Sequence, residues 1–358
     1  MSRSRSSMNQ ARLLHTSSVV TVGASHGRPL TEDDTWNLRG LQVEYVQAKR
    51  TAEELALAAA ARDRDVVVVN PGLLIGPDDH EGSFMIAKLF MAICRLSPHL
   101  RKLIWRHWYQ FLARSYKREE WSFINYGYAS LDPQTEKLQL DDADEPDRYC
   151  IQLYHHVANV VDLKDLKVLE VGSGRGGGAY YIKCFLRPKR VVGVDFSKRA
   201  VAFCKKRYSF VEGLSFVVGD AECLPFRDDS FDAVVNVESS HCYGSINAFL
   251  MQVKRVLRQG GYFLYADFRD KDEIDNLRRE LRHSGMTLIK ETNITTNVIE
   301  ALNLDNERKL ALIQKAVHRM LLGPFQEFAG VRGSMMYEGF RTGEVIYSSF
   351  VLQKPNHQ

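Results

Sequence analysis

The feature that most constrains the fold is the segment KVLEVGSGRGGGAYYI at residues 167–182. Lys167 to Val171 has the β-branched and apolar content of a buried strand, and the start of a helix follows the glycines. Gly172, Gly174 and Gly177 let the backbone turn sharply and approach a ligand, where a side chain would block contact. This pattern predicts the nucleotide-binding end of a doubly wound α/β sheet.

The glycine spacing alone does not identify the cofactor. It also fits the dinucleotide fingerprint G-x-G-x-x-G, so it leaves NAD and S-adenosylmethionine open. Glu170 precedes Gly172 by two residues. A carboxylate there would lie unfavourably beside a diphosphate but favourably near the ammonium or sulfonium group of S-adenosylmethionine. The charge therefore favours S-adenosylmethionine as the cofactor.

Strand and helix patterns alternate after the glycine turn, which predicts a parallel sheet covered by helices on both faces. The strand segments are RVVGVD, LSFVVGD, FDAVVNVE and GYFLYAD, at residues 190–195, 214–220, 231–238 and 261–267. Asp195 ends the second strand, 23 positions after Gly172. An acidic side chain there can accept hydrogen bonds from both hydroxyls of a cofactor ribose. Ser197 is the expected N-cap of the next helix.

The ends of the third and fourth strands supply further candidate cofactor residues. Asp220, Ala221 and Glu222 follow the third strand, where a carboxylate would accept a hydrogen bond from the amino group of an adenine. Asn236 and Glu238 end the fourth strand. We expect these two to contact the cofactor or to orient a neighbouring side chain.

Four motifs in order, EVGSGRGGG, GVDFS, GDAECLPFRDDSFD and LRQGGYF, resemble a class I S-adenosylmethionine-dependent methyltransferase. More closely, IWRHWYQFL, FINYGY, LYHHVANVVDL, NVESSHCY and GGYFLYAD resemble the phthiotriolone/phenolphthiotriolone dimycocerosates methyltransferase family, over about residues 99–354. The resemblance implies O-methylation of a lipophilic small-molecule acceptor. It also implies a mostly parallel seven-stranded sheet whose last strand is antiparallel, with residues 285–291 and 343–354 as the final pair and a helical cap at 292–335.

His241 is the candidate catalytic base. It follows the fourth strand, at the carboxyl edge of the sheet where ligands bind in such folds, and an imidazole titrates near neutral pH. A base would assist an alcohol acceptor, which is a poor nucleophile until it loses its proton. The alternative is that His241 only shapes the acceptor pocket.

An incomplete α/β segment at about residues 11–79 precedes this domain. It resembles the extended short-chain dehydrogenase/reductase family at Ser17-Ser18, at Tyr45 with Lys49, and at NPGLLIGP, residues 70–77. The resemblance implies a tyrosine proton donor whose pKa the lysine lowers, on one face of a helix. Only ten residues precede the segment, so the nicotinamide cradle of that family is missing and hydride transfer is disfavoured. An NAD(P)-dependent oxidoreductase and a cofactor-binding protein without turnover are the alternative functions.

Residues 80–150 are predicted as a helical lid and a polar connector before the methyltransferase domain at 151–358. Within them, residues 84–118 mix aromatic, apolar and basic side chains in two amphipathic helices broken near Pro98. This mixture suits either peripheral contact with a membrane or a lid over an apolar substrate. Ordinary packing of the helices on their own domain is the alternative.

Bulk properties exclude several classes of protein. The net charge is only +4, against 48 basic and 44 acidic residues, so no nucleic-acid partner is indicated. No stretch approaches 18 uninterrupted apolar residues, and the six cysteines have no C-x-x-C spacing, which predicts reduced thiols and no metal site. The Arg- and Ser-rich residues 1–10 lack a secretory apolar region, so we expect a disordered start in a cytoplasmic protein. The sequence does not indicate an oligomeric state.

Overall fold

The computed structural model describes residues 13–16, 44–60, 66–69, 122–317 and 322–356. The chain divides into two compact units, Met1–Ser83 and Phe84–Gln358. The predictions for residues 1–10, Ser17-Ser18, 70–77 and the lid residues 80–121, with the membrane contact through 84–118, lie outside the described residues.

The first unit contains a parallel strand pair joined through a helix. Strand β1 spans Leu13–Thr16, helix α1 Glu44–Ala60 and strand β2 Val66–Val69. The strands pair from Leu13 with Val66 to Thr16 with Val69. Valine runs favour strands and the Ala-, Leu- and Glu-rich stretch favours a helix, as the sequence predicts. Helix α1 contains Tyr45 and Lys49, and the side chain of Tyr45 lies outside the described residues.

The second unit is built on a seven-stranded sheet. Its strands are β3 Lys167–Val171, β4 Arg190–Asp195, β5 Leu214–Val218, β6 Phe231–Val237, β7 Leu257–Asp270, β8 Thr287–Asn293 and β9 Val345–Gln353. Their order is β5-β4-β3-β6-β7-β9-β8. The first five are parallel, and β9 is antiparallel to both of its neighbours. The predicted doubly wound, mostly parallel sheet with an antiparallel last strand is confirmed.

Strands β7 and β8 differ most clearly in extent from the sequence prediction, and β5, β6 and β9 are shorter than predicted by one to three residues. Strand β7 extends beyond 261–267, because it pairs with β9 as far as Asp270. Strand β8 begins at Thr287 rather than at residue 285, because Gly285 has a left-handed φ of +71° and therefore lies in a turn.

Helices cover both faces of the sheet. They are α2 Arg148–Ala158, α3 Gly177–Phe185, α4 Lys198–Arg207, α5 Ile246–Val256 and α6 Lys271–His283. Adjacent residues of β3 point to opposite faces, so Val168 joins the core beneath α2 to α4 and Leu169 joins the core beneath α5 and α6. Both residues have no exposed surface. Burial on both faces explains why the central strands are almost continuously apolar.

Three further helices lie between β8 and β9, where the sequence predicts a helical cap. They are α7 Thr295–Ala316, α8 Leu322–Ala329 and α9 Met335–Thr342. Leu302 belongs to the main core, whereas Phe325 packs with Ile313 in a small cluster of its own. These apolar residues therefore serve helix packing. In the ranges that the structure describes, no helix is long and apolar enough to cross a membrane.

Candidate functional site

The turn after β3 reverses the chain at the point where β3 lies between β4 and β6. Gly172, Gly174 and Gly176 have φ values of +76°, +51° and +83°. These left-handed conformations favour glycine and explain the turn. Gly176, which the sequence analysis did not single out, is the N-cap of α3, and Gly177 is its first helical residue.

The three predicted glycines have different neighbours. A Cβ atom at Gly172 would lie 2.6 Å from Ser239 Cβ, and one at Gly177 would lie 2.6 Å from the Ser122 carbonyl oxygen. Only at Gly174 does no described atom lie within 4 Å of such a Cβ. The expected reason for glycine, room for a ligand, therefore applies at Gly174. Close packing of the protein on itself explains the other two.

Glu170 is buried behind this turn, with 1% of its surface exposed. Neither carboxylate oxygen makes a hydrogen bond of standard geometry to a described residue. Burial raises the pKa of Glu170 to about 8, although the Tyr154 hydroxyl and the Ala179 amide lie close enough to oppose the rise. The carboxyl group is therefore protonated over much of the neutral range unless a cation lies nearby.

Asp195 ends β4 beside the glycine turn. Its Oδ2 accepts a hydrogen bond from the Gly174 amide at 2.9 Å, and its Oδ1 accepts one from the Ser197 amide at 2.7 Å. Ser197 is the N-cap of α4, as predicted, because its hydroxyl accepts from the Ala200 amide. Burial raises the pKa of Asp195 to about 6, against the two amide hydrogen bonds. The carboxylate thus lies next to the one open glycine of the turn.

The residues after β5 form a tight turn at the same edge. Asp220 Oδ1 accepts from the Glu222 amide at 3.0 Å, and Glu222 Oε1 accepts from the Gly244 amide at 2.8 Å. Ala221 packs against the core on the α5 side. The structure therefore brings these three residues to the carboxyl edge of the sheet, next to the loop that follows β6.

Asn236 is fully buried beneath the glycine turn rather than at its surface. Its Nδ2 donates to the Val171 carbonyl at 2.9 Å, to Ser239 Oγ at 2.7 Å and to the Tyr243 hydroxyl at 3.1 Å. Asn236 therefore joins the end of β3 to the loop after β6. Its contacts are with this framework and not with His241.

His241 lies in a short 3₁₀ turn, Ser240–Cys242, and pairs with an aspartate that the sequence analysis did not name. Its Nδ1 lies 2.8 Å from Asp267 Oδ1, and its backbone amide donates to Asp267 Oδ2 at 2.9 Å. The imidazole ring packs on Phe268, with ring centroids 4.4 Å apart. The imidazole keeps 14% of its surface exposed, whereas Asp267 has none. The pair is therefore anchored in the core through Asp267, and only the imidazole retains exposed surface.

Electrostatics hold this pair in its ionised form. Burial opposes ionisation of Asp267, but His241 and Arg269 hold the pKa of its carboxyl well below the usual range. Burial would lower the pKa of His241, but the neighbouring Cys242 and Asp267 raise it to about 10. Since the ionised carboxylate can only accept hydrogen bonds, Nδ1 carries a proton. Nε2 is then the nitrogen that gains or loses one.

Glu238 has a left-handed φ of +47°, unusual for a residue with a side chain, just after β6. Its Oε1 accepts from the Tyr126 amide and the Tyr347 hydroxyl, both at 2.9 Å. Burial raises the pKa of Glu238 to about 7, despite both hydrogen bonds. Backbone strain of this kind costs about 1–3 kcal/mol and is concentrated at functional sites.

The two adjacent histidines of α2 contact two different elements of the fold. His155 Nδ1 lies 2.6 Å from the Tyr181 hydroxyl on α3, and His156 Nε2 lies 3.1 Å from Ser349 Oγ on β9. Burial lowers the pKa of His156 to about 4. The two imidazoles therefore face different elements.

Polar atoms around the glycine turn fit a bound cofactor. Glu170, Ser173 and Asn236 each have a buried side-chain oxygen that makes no hydrogen bond within the described part of the chain. Such atoms are rare, because each costs about 1–3 kcal/mol when unsatisfied. With the open space at Gly174, they indicate a polar ligand over the turn.

The sheet order, the glycine turn and the acidic residues after β4 and β5 define a class I S-adenosylmethionine-dependent methyltransferase. The family model described as "Methyltransferase domain" matches residues 169–265. S-adenosylmethionine is therefore the cofactor, and the protein is an enzyme. The solved structure of the cyclopropane synthase MmaA2 from Mycobacterium tuberculosis shares this fold. Its TM-score is 0.52 at 14% identity, over 68% of this chain and 93% of that one.

The chain belongs to the phthiotriol/phenolphthiotriol dimycocerosates methyltransferase family. It is 39% identical over 253 residues to the Mycobacterium tuberculosis member, over 71% of this chain and 93% of that protein. It is also 36% identical over 261 residues to a fatty-acid O-methyltransferase of Mycolicibacterium smegmatis, over 73% of this chain and 92% of that protein. Separately, the NAD dependent epimerase/dehydratase family model matches residues 2–113. The two resemblances in the sequence are thus confirmed.

Proposed function

We propose that this methyltransferase transfers a methyl group to an oxygen atom of a lipophilic acceptor, with His241 as the general base and Asp267 as its positioning residue. The observation that carries the proposal is the 2.8 Å contact between His241 Nδ1 and Asp267 Oδ1 at the carboxyl edge of the sheet. An alcohol acceptor must lose a proton, and this pair provides a group to take it.

The acceptor class is inferred from two kinds of evidence. Relatives of the chain are named for methylation of phthiotriol dimycocerosates and of fatty acids. In this chain, the base lies against an aromatic cluster, because Phe268 contacts both His241 and Tyr126, with centroids 4.4 and 5.5 Å apart. Phe340 lies 5.5 Å from Tyr126 in the same cluster. Apolar surroundings favour an acceptor with a long hydrocarbon portion.

The chain's own residues would act in a fixed order. Asp267 accepts a hydrogen bond from Nδ1–H of His241 and orients the ring. Because the pKa of His241 is raised to about 10, Nε2 must first release its own proton, and the deprotonated nitrogen then takes the proton of the acceptor. When bound, the cofactor supplies an activated methyl group on a positively charged sulfonium. Orientation of the reacting groups can contribute about 7–11 kcal/mol, and the base a further factor of about 10²–10⁴ in rate.

We also infer which residues would hold the cofactor and where the domain lies. S-adenosylmethionine would contact Glu170, Gly174, Asp195, Asp220, Ala221 and Glu222. Gly172, Gly177 and Asn236 would shape and support the turn that carries Gly174. The methyltransferase domain would occupy residues 151–358, with the lid and connector at 80–150. The roles of Tyr45 and Lys49 stay predictions.

Replacement of His241 by Asn tests the base. The variant should bind S-adenosylmethionine with the parent affinity, while turnover of a long-chain alcohol falls by about 10²–10⁴. The loss should be smaller for a phenol, whose proton leaves more readily. His283→Asn is the matched control, because His283 is exposed at the end of α6. Product methylation is followed with labelled cofactor and mass spectrometry, and parent turnover in His241→Asn would exclude His241 as the base.

A further inference from the structure

Side chains at every second position of β7 form one hydrogen-bond network with the 3₁₀ turn that contains His241. Tyr265, Asp267 and Arg269 point to the same face of the strand, and Ser240 of the turn lies among them. Ser240 Oγ donates to Asp267 Oδ2 at 2.6 Å and lies 2.6 Å from the Tyr265 hydroxyl. Ser240, Tyr265 and Asp267 are all buried. The network therefore fixes the carboxylate on the side away from His241.

Arg269 completes this network. Its Nη1 lies 3.2 Å from Asp267 Oδ2 and donates to the Phe268 carbonyl at 2.6 Å. Its Nη2 donates to Ser240 Oγ at 2.7 Å. Only 10% of the arginine side chain is exposed. A cation is expensive to bury unless it is paired, so its contact with the carboxylate is specific.

We propose that Arg269 is a positioning residue of the methyl-transfer site, which shares the charge of Asp267 and so weakens the hold of that carboxylate on the proton of His241. The inference rests on the proposed function of His241 as the base. Oδ1 of Asp267 contacts His241, and Oδ2 contacts Arg269. The negative charge of the carboxylate is therefore shared between two cations. Without Arg269, the whole carboxylate charge would act on the imidazolium, which would then release its proton only at higher pH.

Other ionisable groups near His241 also influence the pH at which it loses its proton. Glu238 precedes the 3₁₀ turn, Cys242 follows His241 in the turn, and Tyr126 comes from the segment before α2. Tyr347 comes from β9 and Tyr265 from β7. Burial raises the pKa of all three tyrosines above the usual range, so they are neutral near pH 7. In the described part of the chain, Arg269 is the cation that contacts Asp267 opposite His241.

The test compares the pH dependence of kcat/KM in the full-length parent, Arg269→Gln and Arg269→Lys. Arg269→Gln should move the midpoint of the rising limb about one pH unit upward, which is about a tenfold loss of kcat/KM at pH 7 that alkaline pH restores. Arg269→Lys should shift it less. NMR titration of His241, identified by its absence in His241→Asn, should show the same displacement. Arg258→Gln is the control, because Arg258 pairs with Asp232 outside this network.

The outcomes separate the inference from the proposed function. If His241→Asn keeps the parental pH profile, His241 is not the base and the proposed function fails. If His241→Asn loses the ionisation but Arg269→Gln keeps the parental midpoint with a lower plateau, Arg269 is only structural and the inference alone is overturned. If Arg269→Gln does not fold, Arg269→Lys decides. A higher midpoint of the rising limb in Arg269→Lys then supports the inference, and an unchanged midpoint overturns it.

Discussion

The buried carboxyl group of Glu170 should make the stability of the cofactor-free enzyme depend on pH. Burial raises its pKa to about 8, against an ordinary value of about 4.3 in an unfolded chain. The folded state thus binds this proton more tightly than the unfolded state. Its contribution to stability is complete below pH 4.3 and is lost progressively as the pH rises toward the folded pKa.

The size of the effect follows from the two pKa values. A difference of about 3.7 pH units at about 1.36 kcal/mol each gives an upper limit of about 5 kcal/mol. Local relaxation and water entry reduce such penalties, so we expect about 2–4 kcal/mol between pH 5 and pH 8.5. Glu170→Gln keeps the shape of the side chain and has no proton to lose. Its unfolding free energy should therefore be less sensitive to pH by that amount.

Urea unfolding of the cofactor-free protein at pH 5 and pH 8.5 measures this difference. Other groups titrate in the same range, so the relevant quantity is the pH effect in the parent minus that in Glu170→Gln. Glu212→Gln is the control, because Glu212 is exposed in the turn before β5. Parallel pH dependence in the parent and Glu170→Gln would refute the reasoning. The same substitution should weaken S-adenosylmethionine binding by about 1.5–3 kcal/mol, the usual loss for a charge-assisted contact.

Three further predictions concern the cofactor and the domain boundary. Asp195→Asn should weaken S-adenosylmethionine binding by about 1.5–3 kcal/mol in calorimetry, and unchanged affinity would remove Asp195 from the site. Gly176→Ala should lower the unfolding free energy by about 1–2 kcal/mol, because φ is +83° and a Cβ would lie 2.8 Å from the Tyr208 ring. Gly174→Ala should carry a similar backbone cost, because φ is +51°, and should in addition weaken cofactor binding. A protein that starts near residue 82 should retain methyltransferase activity, because every proposed cofactor residue lies after position 165; a folded but inactive product would contradict this.

Much of the fold could be predicted because its signals are local. The apolar runs of β3, β4 and β6 are long enough to specify buried parallel strands, and the glycine turn marks the switch point. Asp195 and Asp220 could be predicted at the carboxyl edge of the sheet, because Asp195 ends β4 and Asp220 comes two residues after β5. The positions of these two residues can be predicted without knowing which distant residues they contact.

The proposed catalytic pair, His241 and Asp267, could not be predicted in the same way, because their contact depends on strand register. His241 meets Asp267 only because β6 and β7 pair with Val237 opposite Ala266. The available signal was the aspartate at the end of GYFLYAD, the fifth parallel strand. Likewise, Gly177 must be glycine because Ser122, 55 positions earlier in the sequence, packs against it. Contacts between residues so far apart in the chain produce no periodic pattern in the sequence, so they could not be predicted from it.

Three carboxyl groups lie at the carboxyl ends of β3, β4 and β6, and none of them forms a salt bridge with a described residue. Glu170 and Glu238 are buried, and Asp195 is half-buried. Burial raises the pKa of Glu170 to about 8, of Asp195 to about 6 and of Glu238 to about 7. Each therefore lowers the stability of the folded protein when it ionises. Selection for folding stability alone would favour neutral side chains at these three positions. Residues that reduce stability in this way are typical of functional sites. S-adenosylmethionine carries positive charge on its ammonium and sulfonium groups. We therefore expect that Glu170 faces these cationic groups and that Asp195 accepts from the ribose hydroxyls, and that both residues lower the stability of the cofactor-free fold.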